Sequence, residues 1–235
     1  MARKKLADGV LDRIGAEIAL GRHPVGAAIP TETELMESLG VGRSSVREAI
    51  RVLASLGMVE TAPRRGTIVA PRGRWNMLNR DVMRWLMRDG QYDPDLLAAI
   101  NEARRIFEPA SAALAARKAS AAQILAVEAA YVQMEEAATQ GDPDAAIEAD
   151  RAFHLAIQRA TSNPILGGFD AALDVVLGLL FSVTANHMDN FRDNLANHLR
   201  VVEAIRRKDP EAAEQAMIAM IDFTTGKMKQ LGLIA

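Results

Sequence analysis

The chain has no cysteine and few aromatic residues, and both shortages restrict what it can be. Without cysteine it has no structural disulfide, no thiolate metal site and no cysteine nucleophile. Aromatic residues make up 4% of the 235 residues and hydrophobic residues 49%, so the core must be mostly aliphatic. After residue 75 alanine, leucine, isoleucine and methionine dominate, and this composition favours helices.

Long apolar runs are also missing. The longest, Val175–Phe181, has Gly178 inside it and is far too short to span a bilayer. The amino-terminal stretch MARKKLADGV lacks the long apolar stretch of a signal peptide. We therefore expect a soluble, cytoplasmic protein with no membrane partner.

Charge is nearly balanced over the whole chain but unevenly distributed along it. Residues 1–74 carry 12 Lys+Arg and 8 Asp+Glu, whereas the remainder carries 16 and 22. A basic amino-terminal part joined to an acidic remainder suits a protein whose first part touches the phosphates of nucleic acid. The length of 235 residues allows two small domains or one large one.

Residues 29–70 predict a helix-turn-helix followed by a two-stranded wing. Thr31 and Glu34 have the spacing of a capping box, which places a short helix at Glu32–Ser38. Gly40 lies in the tight turn that follows, where it tolerates a left-handed backbone conformation.

The second helix, from Gly42 or Arg43 to about Leu56, has two different faces. An apolar stripe at helical spacing consists of Val46, Ala49, Ile50, Leu53 and Leu56. Polar residues lie off this stripe, namely Arg43, Ser44, Ser45, Arg47 and Arg51. Guanidinium forks and hydroxyls can read a DNA groove. Arginines on a helix usually form only a solvated face, but the wing that follows favours DNA binding.

The wing is predicted from two strand-like segments, Val59–Ala62 and Thr67–Ala70. The turn between them consists of Pro63, Arg64, Arg65 and Gly66. A basic turn of this kind can reach phosphate or the minor groove. We therefore expect Arg64, Arg65 and Gly66 to contact DNA.

The second half of the chain predicts an antiparallel all-helical bundle. Asp93, Asp142 and Asp209 each precede a proline, as an N-cap residue precedes a first-turn proline. We predict helices near 76–89, 94–118, 121–139, 143–161, 165–187, 192–207 and 210–230. The short connections between them are typical of a bundle. The fold class is therefore mainly α, with a winged helix-turn-helix before the bundle.

The chain is predicted to consist of three parts with different functions. Residues 1–72 form the winged helix-turn-helix, 73–92 a linker and connecting helix, and 93–235 a helical effector-binding and dimerisation domain. We interpret Trp75 and Trp85, in the connecting segment, as packing anchors.

Polar residues recur inside the predicted bundle. Asp150 and His154 lie four residues apart on one helix, so they share a face, and His198 on a later helix can face them. A carboxylate and two imidazoles can bind a divalent metal. From spacing alone, a simple hydrogen-bonded pair is the stronger alternative for Asp150 and His154. Arg104 can supply a fork for a carboxylate.

The amino-terminal motifs resemble those of the GntR family of bacterial transcription regulators across residues 5–71. The matching elements are Ile29-Pro30-x-Glu32, Gly40-Val41-x-Arg43, Val46-Arg47-Glu48-Ala49, Leu53-x-x-Leu56-Gly57 and Arg65-Gly66-Thr67. The resemblance implies operator contacts by Arg43, Ser44, Ser45 and Arg47, and it places Gly66 close to the groove. Many members carry arginine where this chain has Thr33, so we expect one contact fewer there.

From about residue 75 to 230 the chain resembles the all-helical effector domain of the FadR-type branch of that family. The motifs are Glu102-x-Arg104-x-x-x-Glu108-Pro109, Asp150-x-x-x-His154, Ser162-Asn163-Pro164-x-Leu166 and Asn197-His198-x-x-Val201-x-x-Ala204-Ile205. Segments such as Tyr92-Asp93-Pro94 and Ala213–Ala216 are similar to the galactonate-responsive subfamily. The resemblance implies a homodimer with a small-molecule effector.

The resemblance also implies that Asp150, His154 and His198 bind metal and effector. Metal-binding members usually have a third histidine where this chain has Met220, and a thioether is a poor ligand for zinc-like ions. We expect either a weakly bound divalent ion that effector oxygens complete or a metal-free pocket. His187, near a helix end, either lines the pocket or faces solvent.

These patterns predict a ligand-responsive repressor that binds double-stranded operator DNA. The resemblance to the galactonate-responsive subfamily implies that the effector is a sugar acid, an aldonate such as galactonate, or another small carboxylate. A metal-dependent sugar-acid enzyme is the alternative from another class, but the chain shows no nucleophile motif or phosphate loop. A constitutive architectural DNA binder would leave the polar cluster in the bundle unexplained.

Overall fold

The computed structural model describes residues 2–62, 64–88, 93–184 and 188–234. Pro63 of the wing turn, Tyr92 and His187 therefore lie outside the described residues. The chain divides into two compact units, Met1–Gln91 and Tyr92–Ala235.

The amino-terminal unit contains the predicted helix-turn-helix and wing. Its elements are α1 (Ala2–Ala19), α2 (Glu32–Leu39), α3 (Arg43–Ser55), β1 (Val59–Ala62), β2 (Gly66–Val69), a short 3-10 helix (Arg72–Arg74) and α4 (Arg80–Leu86). The two strands pair antiparallel, with Val59 opposite Val69 and Ala62 opposite Gly66.

The turn between α2 and α3 has the geometry that the sequence predicts. The Glu34 N–H donates to Thr31 Oγ1, and the Thr31 N–H donates to Glu34 Oε2, so the capping box is complete. Gly40 ends α2 with φ at 64°, in the left-handed region that glycine adopts without strain. These two features fix where α2 begins and ends.

Helix α1 packs against α3 and α4 to form the core of this unit. Its fully buried side chains include Ile14, Ile18, Val46, Leu53, Met58 and Trp85. The Trp85 indole donates to Asp12 Oδ1 at 2.9 Å, and the Trp75 indole donates to the Ala70 carbonyl at 2.9 Å. Both tryptophans are buried, which confirms the prediction that they are packing anchors.

Helix α4 is shorter than the predicted helix near 76–89. It begins after Asn79, whose side-chain oxygen accepts hydrogen bonds from the N–H groups of Asp81 and Val82. An asparagine cap at that position sets the first turn of the helix. Trp75 and α4 both pack in the amino-terminal unit. Much of the segment 73–92, predicted as linker and connecting helix, therefore belongs to that unit.

The second unit is all helical in its described residues. Its elements are α5 (Pro94–Lys118), α6 (Ala121–Gln140), α7 (Pro143–Ala160), α8 (Pro164–Gly167), α9 (Asp170–Thr184), α10 (Met188–Arg206) and α11 (Pro210–Gln230). Asp93, Asp142 and Asp209 cap α5, α7 and α11 as predicted. No strand follows Val69 in the part of the chain that the structure describes.

The helix predicted near 165–187 is instead two helices, α8 and α9. The N–H of Gly168 donates to the Ile165 carbonyl, and the N–H of Phe169 donates to the Leu166 carbonyl. These bonds span three residues rather than four, so they tighten and end the short helix. The prediction of one continuous helix was wrong because it ignored the Gly167–Gly168 pair.

The bundle core is mainly aliphatic and comes from α5, α6, α7, α10 and α11. Its most buried members include Met134, Phe153, Ile157, Ile205, Met217 and Ile221. A smaller cluster, Leu155, Leu173 and Leu177, joins α9 to α7. Among the described residues, no helix combines the length and the hydropathy that crossing a membrane requires.

Candidate functional site

Helix α3 buries one face and exposes another, as the sequence predicts. Val46, Ala49 and Leu53 are buried in the amino-terminal unit, whereas Arg43 and Arg47 are exposed. Arginines on a solvent-facing helix after a tight turn can reach a DNA groove. The exposed face is therefore the candidate DNA-reading surface.

Arg47 has a specific partner in the DNA-free protein. Its Nε donates to both carboxylate oxygens of Glu32, at 3.0 and 2.9 Å. The Arg47 side chain is 60% exposed, so this pair is solvated and weak. A phosphate or base edge can replace Glu32 at little cost.

The two serines at the start of α3 have different environments. Ser44 is exposed, but Ser45 is only 7% exposed and lies on the buried side of the helix. The Ser45 hydroxyl therefore does not share the solvent-facing surface of Arg43, Ser44 and Arg47. Thr33, where the resemblance implied one DNA contact fewer, is exposed on α2.

The wing turn exposes arginine side chains, and part of its backbone has positive φ angles. Arg64 has φ at 62° and Gly66 has φ at 77°, and both residues are exposed. A positive φ costs a non-glycine residue energy, so the turn depends on glycine at position 66. The Arg65 guanidinium donates to the Gly26 carbonyl at 2.9 Å, which ties the wing to the segment after α1.

The bundle brings together the polar cluster that the sequence indicated. Asp150 and His154 lie on α7, His198 lies on α10, and all three are at most 5% exposed. Asp150 Oδ1 lies 3.3 Å from His154 Nε2 and 3.2 Å from His198 Nε2. One ligand atom from each residue lies within 4.8 Å of the others, so the cluster has the dimensions of a metal site.

The other nitrogen of each histidine ring contacts an acceptor. His198 Nδ1 lies 2.9 Å from the Asn194 carbonyl, and His154 Nδ1 lies 2.6 Å from Glu108 Oε2. An acceptor at Nδ1 keeps a proton on that nitrogen and would leave Nε2 to bind a cation, as in many metal sites. The donor set therefore fits a divalent cation, with Asp150 and two Nε2 atoms as ligands.

Glu108 belongs to the candidate site, although the sequence analysis assigned it no role. It is 3% exposed and lies between Arg104 and His154, with Arg104 Nε donating to Glu108 Oε1 at 2.6 Å. Arg104 and Glu108 are four residues apart on α5, a spacing at which opposite charges meet on a helix. That spacing was the available signal, although it does not show the contact of Glu108 with His154.

The charges in this cluster stabilise one another. Burial raises the pKa of Glu108, but the charges of Arg104 and His154 outweigh this effect and lower the pKa to about 2. Burial lowers the pKa of His154, but Glu108 and Asp150 raise it to about 9. Burial likewise raises the pKa of Asp150, yet its histidine contacts hold that pKa well below its usual range.

Without an ion, a protonated His154 can bridge Glu108 and Asp150. This arrangement contains the hydrogen-bonded Asp150–His154 pair that the sequence analysis gave as the alternative to a metal site. With an ion, the proton on His154 Nε2 must leave, because metal ligands are deprotonated. A cation and this proton therefore compete for the same side of the ring.

Met220 is the residue that, by the family resemblance, stands in place of a third histidine. It is 1% exposed and packs in the apolar bundle core. The candidate ligand set is therefore Asp150, His154 and His198. Three protein ligands are the usual number for a zinc site that keeps a position open for another ligand.

A small pocket that opens to solvent lies beside this centre, with a cavity volume of about 40 Å³. Its walls come from α7, α10 and α11 and consist of Ala146, Ile147, Asp150, Asn190, Phe191, Asn194, His198, Phe223, Thr224 and Lys227. Asp150 and His198 thus face both the centre and the pocket. Arg104, the predicted carboxylate fork, does not line this pocket.

Comparison with known families assigns both units. Residues 6–69 match the bacterial regulatory proteins of the gntR family, and residues 99–223 match the FCD domain. The chain belongs to the GntR family. These matches confirm the predicted mainly α fold, a winged helix-turn-helix followed by a helical effector domain.

Similar proteins share the whole of this arrangement. The chain is 33% identical to the galactonate operon transcriptional repressor of Escherichia coli strain K12 over 95% of this chain and 97% of that protein. It is 28% identical to the Glc operon transcriptional activator of the same strain, covering 91% and 85%. A solved structure of Streptococcus agalactiae GntR is 28% identical with a TM-score of 0.53, covering 94% and 99%.

This GntR-family chain is therefore a transcription regulator. The matched families and relatives are regulators rather than enzymes, so the sequence prediction that the chain is not an enzyme is confirmed. The family binds DNA through its winged helix-turn-helix and small molecules through its second domain.

Proposed function

We propose that this GntR-family regulator acts in the cytoplasm as a repressor of a sugar-acid operon and is released by an aldonate. The observation that carries the proposal is the buried Asp150–His154–His198 centre beside an open pocket, in a chain that also has a DNA-reading helix. Similarity to a galactonate operon repressor along nearly the full length supports this effector class.

The operator contacts are proposed on α3 and on the wing. Arg43, Ser44 and Arg47 are exposed together on α3. Arg64, Arg65 and Gly66 are exposed at the tip of the wing. Arginine forks suit guanine in the major groove, and a basic wing suits phosphate or the minor groove. We leave Ser45 out of the proposed contacts because its side chain is buried.

The functional form is proposed to be a homodimer. One winged helix reads a short half-site, so specificity comes from two readers on a palindrome. Light scattering should give twice the chain mass of 25.4 kDa. A footprint on the operator should cover two half-sites related by two-fold symmetry, and a monomer on an asymmetric site would contradict the proposal.

The centre is proposed to hold a weakly bound divalent ion such as zinc. Asp150, His154 and His198 would be its ligands, and effector oxygens would fill the open positions. Because Met220 replaces a further imidazole, the protein alone should hold the ion less tightly than a centre with three histidines. Hydroxyl oxygens of a sugar acid would then strengthen the binding of the ion.

Release from DNA follows from differential affinity. A ligand shifts a conformational equilibrium only by binding one state better than the other. The aldonate is therefore proposed to prefer the state that binds operator poorly. Coupling between such sites is typically about 1–3 kcal/mol, or roughly 5- to 150-fold in operator affinity.

The test is operator affinity, by fluorescence anisotropy, across a panel of galactonate, gluconate, lactate and glycolate. Each acid is added with zinc and again with a chelator. We expect galactonate to weaken operator binding most, and zinc to lower the concentration that it requires. If only lactate or glycolate released the protein from operator, the effector would be a different carboxylate. If none of the four acids released it, the proposal would be overturned.

A further inference from the structure

A lysine forms part of the wall of the pocket beside the buried centre. Lys227 lies on α11 together with Thr224, and Asn190 and Asn194 face them from α10. Of the described residues that line the pocket, Lys227 is the one lysine or arginine. Its side chain is 26% exposed, so it is partly buried but reachable from solvent.

The charge of Arg104 is matched by a partner inside the bundle. Its Nε donates to Glu108 Oε1 at 2.6 Å, and both side chains are at most 4% exposed. Separating such a buried pair would leave Glu108 without its main counter-charge. A carboxylate that enters the pocket therefore finds Lys227 more readily than Arg104.

Lys227 forms an ion pair with Asp193 that a ligand carboxylate can replace. Lys227 Nζ lies 3.6 Å from Asp193 Oδ2, and the Asp193 side chain is 58% exposed. Solvated pairs of this kind contribute little. The ammonium also lies 5.2 Å from the centroid of the Phe223 ring, which favours a cation at this place. A ligand carboxylate could exchange for Asp193 without leaving a buried charge unpaired.

We infer that Lys227 binds the carboxylate of the effector and makes the pocket select an acid over the matching neutral polyol. Asn190, Asn194 and Thr224 then face the hydroxyl chain, which extends toward Asp150 and His198. This inference rests on the proposed function, because it needs an acid in this pocket. It does not depend on an ion in the centre.

The test compares galactonate with galactitol, which has the same carbon chain without the carboxylate. Lys227→Met removes the charge but keeps most of the stem over Phe223. Lys229→Met is the matched control, because Lys229 is exposed on the same helix and does not line the pocket. Calorimetry and thermal shift are run with zinc and with a chelator. Thermal melts without ligand check that each variant is folded.

We expect Lys227→Met to weaken galactonate binding roughly 10- to 100-fold, the range for a hydrogen bond to a charged group. The thermal stabilisation of Lys227→Met by galactitol should stay close to that of wild type. The galactonate affinities of Lys229→Met and of the charge-preserving Lys227→Arg should also stay close to the wild-type value. Galactonate affinity within twofold of wild type in Lys227→Met overturns the inference but leaves the proposed function intact. An equal loss for galactitol also overturns it. If wild-type protein binds no aldonate, both fail together.

Discussion

Arg47 is the residue on which the proposed DNA-reading face depends most directly. Its contact with Glu32 uses Nε, and this leaves the two Nη atoms on the other edge of the guanidinium for a base. Two parallel N–H donors match the O6 and N7 acceptors of guanine. The solvated pair with Glu32 therefore does not block the fork.

Arg47→Ala should weaken specific operator binding by about 1–3 kcal/mol, the usual range for a lost base-reading fork. The melting temperature should hardly change, because Arg47 is exposed and lies off the buried face of α3. Anisotropy with operator and with unrelated DNA measures the effect. Unchanged operator affinity in the folded variant would contradict the assignment of α3 as the recognition helix.

Glu108 connects the candidate metal centre to α5. It contacts His154 on one side and Arg104 on the other, and all three side chains are buried. Removing one member of a buried charged set leaves the others uncompensated. Glu108 therefore affects both the stability of the bundle and the orientation of His154.

Glu108→Gln should cost about 3–5 kcal/mol of unfolding free energy. It should also weaken zinc binding by roughly 10- to 100-fold, as is typical when a partner of a metal-bound histidine is lost. Glu102→Gln, an exposed change on the same helix, is the control and should stay within about 0.5 kcal/mol of wild type. Urea unfolding and calorimetry measure both effects, and a Glu108→Gln protein with wild-type zinc affinity would exclude this role.

The sequence predicted the members of this cluster better than their contacts. Spacing by four residues put Asp150 and His154 on one face, and the family motif pointed to His198. The contact of His154 with Glu108 joins α7 to α5 and depends on how the helices pack, which periodicity does not specify. Lys227 was missed for the same reason, because only the fold places α11 beside α7 and α10.

At the scale of elements, the packing of α1 against α4 holds the amino-terminal unit together. Gly15 on α1 lies directly under Trp85 of α4, and a Cβ atom at Gly15 would lie 2.6 Å from the indole ring. The indole is fully buried and donates to Asp12, so it has little room to move. Glycine at this position permits the close approach of the two helices.

Gly15→Ala should destabilise the protein by about 1–3 kcal/mol through overpacking. Gly9→Ala provides a matched control on the same helix, because nothing lies within 4 Å of its added Cβ. That control should stabilise by about 0.5–1 kcal/mol, since alanine is the better helix former. Thermal unfolding of both variants gives the comparison. Equal stabilisation by both would show that Trp85 does not pack against Gly15.

Helix starts were predictable where an aspartate cap precedes a proline and less so elsewhere. Asp93, Asp142 and Asp209 each fixed a helix start to the residue. The start of α4 depended on the Asn79 cap, and the break between α8 and α9 depended on the Gly167–Gly168 pair. Apolar periodicity continues across such points, so it does not locate them.

At the scale of the whole molecule, one chain contains a DNA reader and a candidate effector pocket in separate units. The family match assigns a transcription regulator to this combination. If the aldonate lowers operator affinity by some factor, operator must lower aldonate affinity by the same factor. This reciprocity holds whichever elements transmit the change between the units.

The most direct test of the account is the affinity of galactonate for the protein with and without saturating operator DNA. We predict that operator weakens galactonate binding by the same factor, roughly 5- to 150-fold, by which galactonate weakens operator binding. Lys227→Met should lower galactonate affinity in both states and leave operator binding without ligand unchanged. Galactonate affinity that is identical with and without operator would contradict the account.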